Sequence, residues 1–326
     1  MREVHVSAPG KVNLILRVGP PDAQGYHGLV TVFECLDIRE HVTVRTAKSP
    51  GIHIETRAYA ADGSLDQDAT QLMAELDPTT HLAYRAAKTL QKLAAAGPWA
   101  HTSAGVSIHV DKHIPIAGGM AGGSADAAAA LVACNRLWGL GLTTEQLCQI
   151  GRQIGADVPA CIMGGMTLGQ GRGDLLTPLL DAQQQAWPRH SWVMVRALKG
   201  LSTPEVFRTL DAMDAEHPRS QPAQFTEAER EALCADPERL SRVLVNELTE
   251  PALELYPELA GTLDGAREAG ALAAIVSGSG PTIAVLARDD DHARHLARVL
   301  LACSEVGDTL TASGPAAGAI VEEEEC

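Results

Sequence analysis

The chain has 326 residues, enough for two domains, and its 45% hydrophobic and 21% charged residues are the balance of a globular protein that buries a core. Disorder over most of its length is therefore excluded. A formal net charge of -15, from 41 acidic against 26 basic residues with no run of Lys or Arg, argues against a nucleic-acid partner.

β-Branched and alternating apolar residues predict strands at Val4–Ser7, Val12–Val18, Thr31–Leu36, His41–Thr46 and Gly51–Glu55. The polar stretch Tyr59–Thr80 reads as irregular. A helix is expected over His81–Ala96, with Leu82, Ala86, Leu90 and Leu93 on one face and a stop at Gly97-Pro98. Val106–Val110 alternates as a strand. Ser124–Trp138 is rich in the helix formers Ala and Leu, and Thr143-x-x-Gln146 opens a further helix that stops near Gly155. Strands follow at Gly165–Leu168 and Trp192–Leu198, then a helix from Ser202-Thr203-Pro204-Glu205 and more helices between Glu238 and Ala269. Leu272–Ser277 and Thr282–Ala287 pair around Gly278-Ser279-Gly280-Pro281, before a helix at Asp291–Cys303 and a strand near Thr309–Ala312. That order is ferredoxin-like. Ala215–Glu229 reads as a solvated loop and Glu322–Glu325 as a frayed acidic tail.

Seven cysteines, an odd number without a C-x-x-C pair, fit a reducing compartment better than a disulfide framework or a zinc cage. The first residues lack a signal-peptide core, and the longest apolar run, Ala127 to Cys134, is too short to cross a bilayer. A soluble, cytoplasmic protein is expected. The twelve His are scattered, with no H-x-x-x-H pair beside a further ligand, so no protein cage for a metal is expected.

The most informative segment is Pro115-Ile116-Ala117-Gly118-Gly119-Met120-Ala121-Gly122-Gly123-Ser124-Ala125-Asp126, between a strand and a strong helix. Four glycines let the backbone approach an anion, and the helix N-terminus adds partial positive charge. Ser124 stands where a Walker loop needs Lys, and the glycine spacing is not that of a dinucleotide fingerprint. The run suits a phosphate. It also suits tight helix–strand packing with Ser124 as an N-cap.

Pro-x-x-x-Gly-x-x-x-Gly-Ser-Ala with its Ala-rich helix resembles the ATP loop of the galactokinase, homoserine kinase, mevalonate kinase and phosphomevalonate kinase (GHMP) superfamily. Ala8-Pro9-Gly10-Lys11-Val12-Asn13-Leu14 and Ser277-Gly278-Ser279-Gly280-Pro281 resemble its two other motifs, in the same order. Asp22-Ala23-Gln24-Gly25-Tyr26-His27 and Gly155-Ala156-Asp157-Val158-Pro159 are similar to segments of the CDP-methylerythritol kinase branch. The resemblance implies an α+β, two-domain fold. Residues 1–165 would form a domain like one found in a ribosomal protein, and residues 166–326 a ferredoxin-like domain. It implies ATP and magnesium as cofactors, a small-molecule substrate, no nucleic acid or membrane partner, and a monomer or weak homodimer.

The resemblance also assigns residues. Asp157 would be the general base, held on a turn because Pro159 disfavours helical backbone at Val158. Lys11 would be its partner, with Asn13 an auxiliary contact. Lys112 and residues 115–125 would meet ATP: Pro115, Ile116, Ala117, Gly118, Gly119, Met120, Ala121, Gly122, Gly123, Ser124 and Ala125. Tyr26 and Phe207 would stack on the two faces of a cytosine, with His27 beside them. Magnesium would arrive with the phosphates, Ser124 offering one hydroxyl. The sequence departs from the branch at Met120, often Leu, and at His81, often Asn. Three rivals are weighed. A homoserine-type kinase has no cytosine to stack on Tyr26 and Phe207; a non-catalytic sensor has no need of both Lys11 and Asp157; a nucleic-acid module conflicts with the charge.

Overall fold

A computed structural model describes residues 2–100, 102–116, 118–179, 188–215 and 219–325. The chain opens with two long strands, β1 (Glu3–Pro21) and β2 (His27–Thr46), followed by β3 (Gly51–Tyr59) and the short β4 (Leu65–Asp66). Helix α1 (Gln67–Glu75), a 3-10 turn at Pro78–Thr80 and α2 (Leu82–Ala95) lead to β5 (Gly105–Lys112). Helices α3 (Gly122–Trp138), α4 (Thr144–Gly151) and α5 (Val158–Met163) precede β6 (Met166–Gln170) and β7 (Leu175–Pro178). Then come β8 (His190–Ala197), α6 (Thr203–Met213), α7 (Glu227–Leu233), α8 (Pro237–Leu240) and β9 (Val245–Asn246). The chain continues through α9 (Thr249–Leu255), α10 (Leu259–Glu268), β10 (Ala273–Val276) and β11 (Ile283–Ala287). It finishes with α11 (Asp290–Leu300), β12 (Val306–Gly314) and β13 (Ile320–Glu325).

Among the described residues these strands make two sheets. The larger runs β13-β1-β2-β5-β3-β4, with β6 paired to β2, β7 to β6 and β9 to β1. The smaller runs β10-β11-β8-β12, all antiparallel, which is the ferredoxin-like order expected. The sheets do not divide at residue 165: β6, β7, β9 and β13 all belong to the larger one. Glu34 of β2 joins the layers from within, because its fully buried carboxylate lies 2.8 Å from His190 Nδ1 and accepts from Trp192 Nε1 at 3.1 Å.

Five expected strands at the start are three long ones. Pro9-Gly10 reads as punctuation, but β1 passes through it by a register shift against β2, with further shifts at Asn13/Ile15 and Val18/Pro21. Bulges of this kind absorb an extra residue and bend a strand without ending it. The helical core beneath the sheet is built from small residues. Helix α3 is buried over most of its circumference, and its alanines let α2 approach through Ala83, Ala86, Ala87, Leu90 and Ala94. Leu93, expected on that face, is exposed. Full burial of a side chain such as Leu14, Leu36 or Ile108 contributes about 1.5–3 kcal/mol each.

Three further expectations are corrected. Tyr59–Thr80 is not irregular: Asp66 caps α1 by accepting from Ala69 N. No residue of α1 is buried, so it carries no apolar period to read. The acidic end is not frayed, since β13 pairs antiparallel with β1 and covers its edge. That pairing uses backbone groups, which side-chain composition does not reveal. Within Ala215–Glu229, a Thr226–Glu229 capping box opens α7, and Arg17 ion-pairs with Glu229; residues 216–218 lie outside the described residues. The remaining helix boundary, α4, ends at Gly151 rather than Gly155.

Candidate active site

Strand β1 puts Lys11 and Asn13 on one face, two residues apart. The Lys11 ammonium is buried and donates to Asn13 Oδ1 at 2.7 Å and to the Gly119 carbonyl at 2.9 Å. Its third neighbour is Asp157 Oδ2 at 3.6 Å. The ammonium thus has two hydrogen-bond acceptors and one ion-pair partner. Asn13 is itself oriented, because its Nδ2 donates to Thr31 Oγ1 at 2.9 Å and that hydroxyl donates to the Ile15 carbonyl at 2.8 Å. Asp157 stands at the N-cap of α5, with Val158 helical and Pro159 in the first turn. The expected non-helical turn at Val158 is therefore replaced by a helix start, where proline is tolerated because its missing N–H has no partner to lose. The Asp157 carboxylate is about a third exposed while Lys11 is not, so it faces open space with its cation behind it.

The glycine loop packs against this pair. Lys11 N donates to the Met120 carbonyl at 3.1 Å, and Ser277 Oγ to the Gly119 carbonyl at 3.3 Å. Gly119 has φ +71°, and a Cβ there would lie 2.3 Å from the Ser277 carbonyl, so two of the three motifs meet through a residue that must be glycine. Ala121, not Ser124, is the N-cap of α3, and it adopts left-handed φ of 62°. That conformation costs an L-residue about 1–2 kcal/mol. Strain of this kind held in place at a helix start is where a ligand-facing backbone is found. The third motif is anchored by Asn246 of β9, whose Nδ2 donates to Val276 and Gly278 carbonyls at 2.6 and 2.7 Å.

Residues of all three motifs line one cavity of about 770 Å³. Lys11, Asn13 and Asp157 stand on its wall, together with Lys112, Pro115, Ile116, Gly118, Gly119, Ala121, Gly122, Gly123 and Ser124. Met120 and Ala125 do not line it; their side chains are in the core. Ala117 lies outside the described residues. Toward α1 and α2 the cavity is walled by Ile54, Thr56, Met73, Ala74, His81 and Leu82; toward α6 by Leu16, Leu29, Phe33, Phe207, Leu248 and Arg172.

The expected aromatic pair is not assembled as a pair. Phe207 lines the cavity, but the ring beside it is that of His27, at 5.0 Å between centroids. His27 Nδ1 donates to the Gly19 carbonyl at 2.8 Å. Tyr26 is half exposed and does not line the cavity, and the Arg172 guanidinium lies 3.4 Å from its ring centroid. Arg172 is in turn tied to Gln24 Oε1 at 3.2 Å.

The sequence matches the model of the GHMP kinases N terminal domain over residues 81–165 and that of the GHMP kinases C terminal domain over 230–306. A 4-diphosphocytidyl-2-C-methyl-D-erythritol kinase of Paenarthrobacter aurescens is 42% identical, across 98% of this chain and 95% of that protein. The enzyme of the same name from Thermobifida fusca is 43% identical over 98% of each. The chain belongs to this family of GHMP kinases. A solved structure of a 4-(cytidine 5'-diphospho)-2C-methyl-D-erythritol kinase matches with a TM-score of 0.71 at 30% identity, covering 95% of this chain and 98% of that one. A homoserine kinase from Cytophaga hutchinsonii matches with a TM-score of 0.67 at 18% identity, over 98% and 97% of the two chains, which shows a shared fold.

As a member of an ATP-using kinase family, the chain has one cation beside its glycine loop that the sequence reading did not fully explain. The Lys112 ammonium is buried between Glu40 and Asp126, at 2.7 Å from each. Burial pulls its pKa down, but Asp126 and Glu40 outweigh that and hold it raised. Burial pushes Glu40 up to about 8, against the opposing pull of Lys112. Burial also lowers His81, whose Nε2 is 3.9 Å from Asp126. Glu40, Asp126, Thr31, Arg172 and Asn246 were all passed over in the sequence. Each sits in an unremarkable local context, and only long-range pairing gives it a place. His109 and His113 do stand at H-x-x-x-H spacing, yet His109 bonds Asp111 and His113 stacks on Tyr59. Among the described residues no three ligating side chains converge on a metal position, and no helix is long and apolar enough to cross a membrane.

Proposed function

We propose that this kinase transfers the γ-phosphoryl group of ATP to the 2-hydroxyl of 4-diphosphocytidyl-2-C-methyl-D-erythritol, in the non-mevalonate route to isoprenoids. The observation that carries this reading is the Lys11–Asp157 pair, 3.6 Å apart, midway along one cavity between the glycine loop and the Phe207 wall. Asp157 takes the proton of the acceptor hydroxyl as its oxygen attacks the γ-phosphorus, and the bond to the bridging oxygen of ADP breaks. Lys11, held by Asn13 and Gly119, orients the Asp157 carboxylate and offsets charge on the transferring group. Loop N–H groups and the start of α3 hold the phosphates.

Magnesium supplies neutralisation of the phosphate charge. Its fit is that of an ion arriving with the nucleotide: the Ser124 hydroxyl on the cavity wall and the buried, unpartnered Asp126 Oδ1 are hard oxygens near the loop. Lys112 and residues 115–125 are read as the ATP side, and Asn13, His27, Phe207 and Tyr26 as the acceptor side. A cytoplasmic location fits cysteines that are free. The strongly acidic surface supports small-molecule partners without nucleic acid, with the protein a monomer or weak homodimer. A coupled ADP-release assay comparing 4-diphosphocytidyl-2-C-methyl-D-erythritol with homoserine, mevalonate and galactose tests the reading. Phosphorus NMR of the product should show a new monophosphate ester beside an intact diphosphate. A consumed diphosphate, or ADP release only with another acceptor, would sink it.

A further inference from the structure

We infer that Glu40 is a positioning residue for ATP, acting through Lys112 and through the backbone that leads into the glycine loop. Glu40 is on β2, is fully buried, and never reaches the cavity wall. One of its oxygens accepts from Lys112 Nζ at 2.7 Å; the other accepts from His113 N at 2.7 Å and Ile114 N at 3.4 Å. The same carboxylate crowds the start of α3, since a Cβ on Gly122 would lie 2.9 Å from its Oε1. A single side chain therefore fixes the last residue of β5 and the two residues before Pro115, and it lies against the start of the phosphate-facing helix.

Every one of those partners is a donor, which is the pattern of an ionised carboxylate. Burial opposes that form and pushes its pKa up to about 8, while the ammonium of Lys112 and the 113–114 N–H groups favour it. The arrangement is costly, with two carboxylates around one ammonium in the interior. A core built only for stability would place an apolar residue at 40 and 112. What the cluster produces is a fixed ammonium on the cavity wall with one of its three N–H groups uncommitted among the described residues. Asp126 completes the cluster; its Oδ1 is buried without a partner among the described residues, and the donor the cluster has to offer a bound molecule is the third N–H of Lys112. Lys112 belongs to the wall on which the nucleotide is read, and the inference rests on that reading.

The discriminating variant is Glu40→Gln. It keeps shape and volume, but whichever way the amide turns, an NH₂ faces either the Lys112 ammonium or the 113–114 N–H groups, donor against donor. Affinity for ATP with magnesium, measured by calorimetry, should fall about 10- to 100-fold. The KM for the acceptor and the kcat at saturating ATP should stay within about twofold of wild type. Lys112→Met should weaken ATP similarly, and adding Glu40→Gln to it should weaken ATP no further, because without the ammonium the amide can turn its oxygen to the 113–114 N–H groups and keep the backbone held. If Glu40→Gln does not fold, Glu40→Asp keeps the charge but withdraws it by one methylene and should still raise the ATP dissociation constant. A folded Glu40→Gln protein with unchanged ATP affinity, or one in which KM for both substrates moves in step with a lower Tm, overturns the positioning role. Wild-type protein that gives no heat with ATP would remove the loop assignment and this inference with it.

Discussion

The two ends of the cavity are built on different physical terms. At the glycine-loop end, contacts are backbone carbonyls, left-handed residues and a buried charge cluster: Gly119 against Ser277, Ala121 at φ 62°, Lys112 between Glu40 and Asp126. At the other end they are side chains on half-exposed segments: Phe207 on α6, His27 at the start of β2, Tyr26 under Arg172. Lys11 and Asp157 stand between and are anchored from the loop side, through Gly119 and Asn13. On the proposed function, the phosphates of ATP would meet tightly packed backbone, and the acceptor would meet side chains on more exposed segments. Substitutions at the first end should therefore act as steps, and those at the second as graded losses.

The largest step lies at the junction. Asp157→Asn should lower kcat by about 10²–10⁴-fold, the range for losing a positioned base, with the dissociation constants of both substrates nearly unchanged. Lys11→Ala should also lower kcat, and the double variant should fall short of additivity because the two act as a unit. Near-normal turnover by Asp157→Asn, measured as ADP release at saturating substrates, would reduce Asp157 to a helix cap.

Next comes the loop. Gly122 and Gly123 look equivalent in sequence, but the structure separates them. A Cβ at Gly122 strikes the Glu40 carboxylate, whereas one at Gly123 meets only the Leu82 side chain at 3.5 Å. Gly123→Val is therefore the cleaner probe, since the fold should survive while a branched side chain occupies the phosphate approach. ATP affinity should drop by about 10-fold or more, equivalent to about 1.4 kcal/mol or more, with a Tm close to wild type. Calorimetry showing unchanged ATP binding in the folded variant would exclude this loop as the phosphate site.

The same contrast explains what could be read in the sequence. Motifs made by backbone need particular residue types, above all glycine, so the loop and the Ser277–Pro281 turn stood out in the sequence, and the structure brings Lys11 and Asp157 onto the same cavity wall. The ferredoxin-like order was legible for a similar reason: each element has its own apolar period and punctuation. Glu40 and Asp126 were not, because a carboxylate in a strand or helix looks solvated until its distant partner is known. Helix α1 was not, because it buries nothing. Strand β13 was not, because its acidic residues Glu323, Glu324 and Glu325 pair through their backbone with β1. The Tyr26–Phe207 sandwich was implied by the family resemblance, and the placement of side chains on exposed segments is the link that a resemblance reaches least well.

The smallest expected effects decide that last point. Phe207 lines the cavity and should behave as a stacking wall: Phe207→Ala should raise the acceptor KM about 5- to 150-fold, equivalent to roughly 1–3 kcal/mol, without changing ATP affinity. Tyr26 starts from a different state, because Arg172 already covers one face of its ring and about half of the residue faces solvent. An exposed cation–π contact is worth about 0.5–1 kcal/mol, so a base can displace the guanidinium at little cost but gains correspondingly less than on a bare ring. Tyr26→Ala should then raise the acceptor KM only about 2- to 5-fold, less than Phe207→Ala. Arg172→Ala settles which group the acceptor meets. If the base replaces the guanidinium on Tyr26, removing Arg172 frees the ring, and KM should stay level or improve slightly. If Arg172 itself contacts the acceptor from the cavity wall, KM should rise, and the loss should persist in a Tyr26→Ala background. Equal, large losses for Tyr26→Ala and Phe207→Ala would restore the symmetric sandwich and require Tyr26 to swing inward when the acceptor binds.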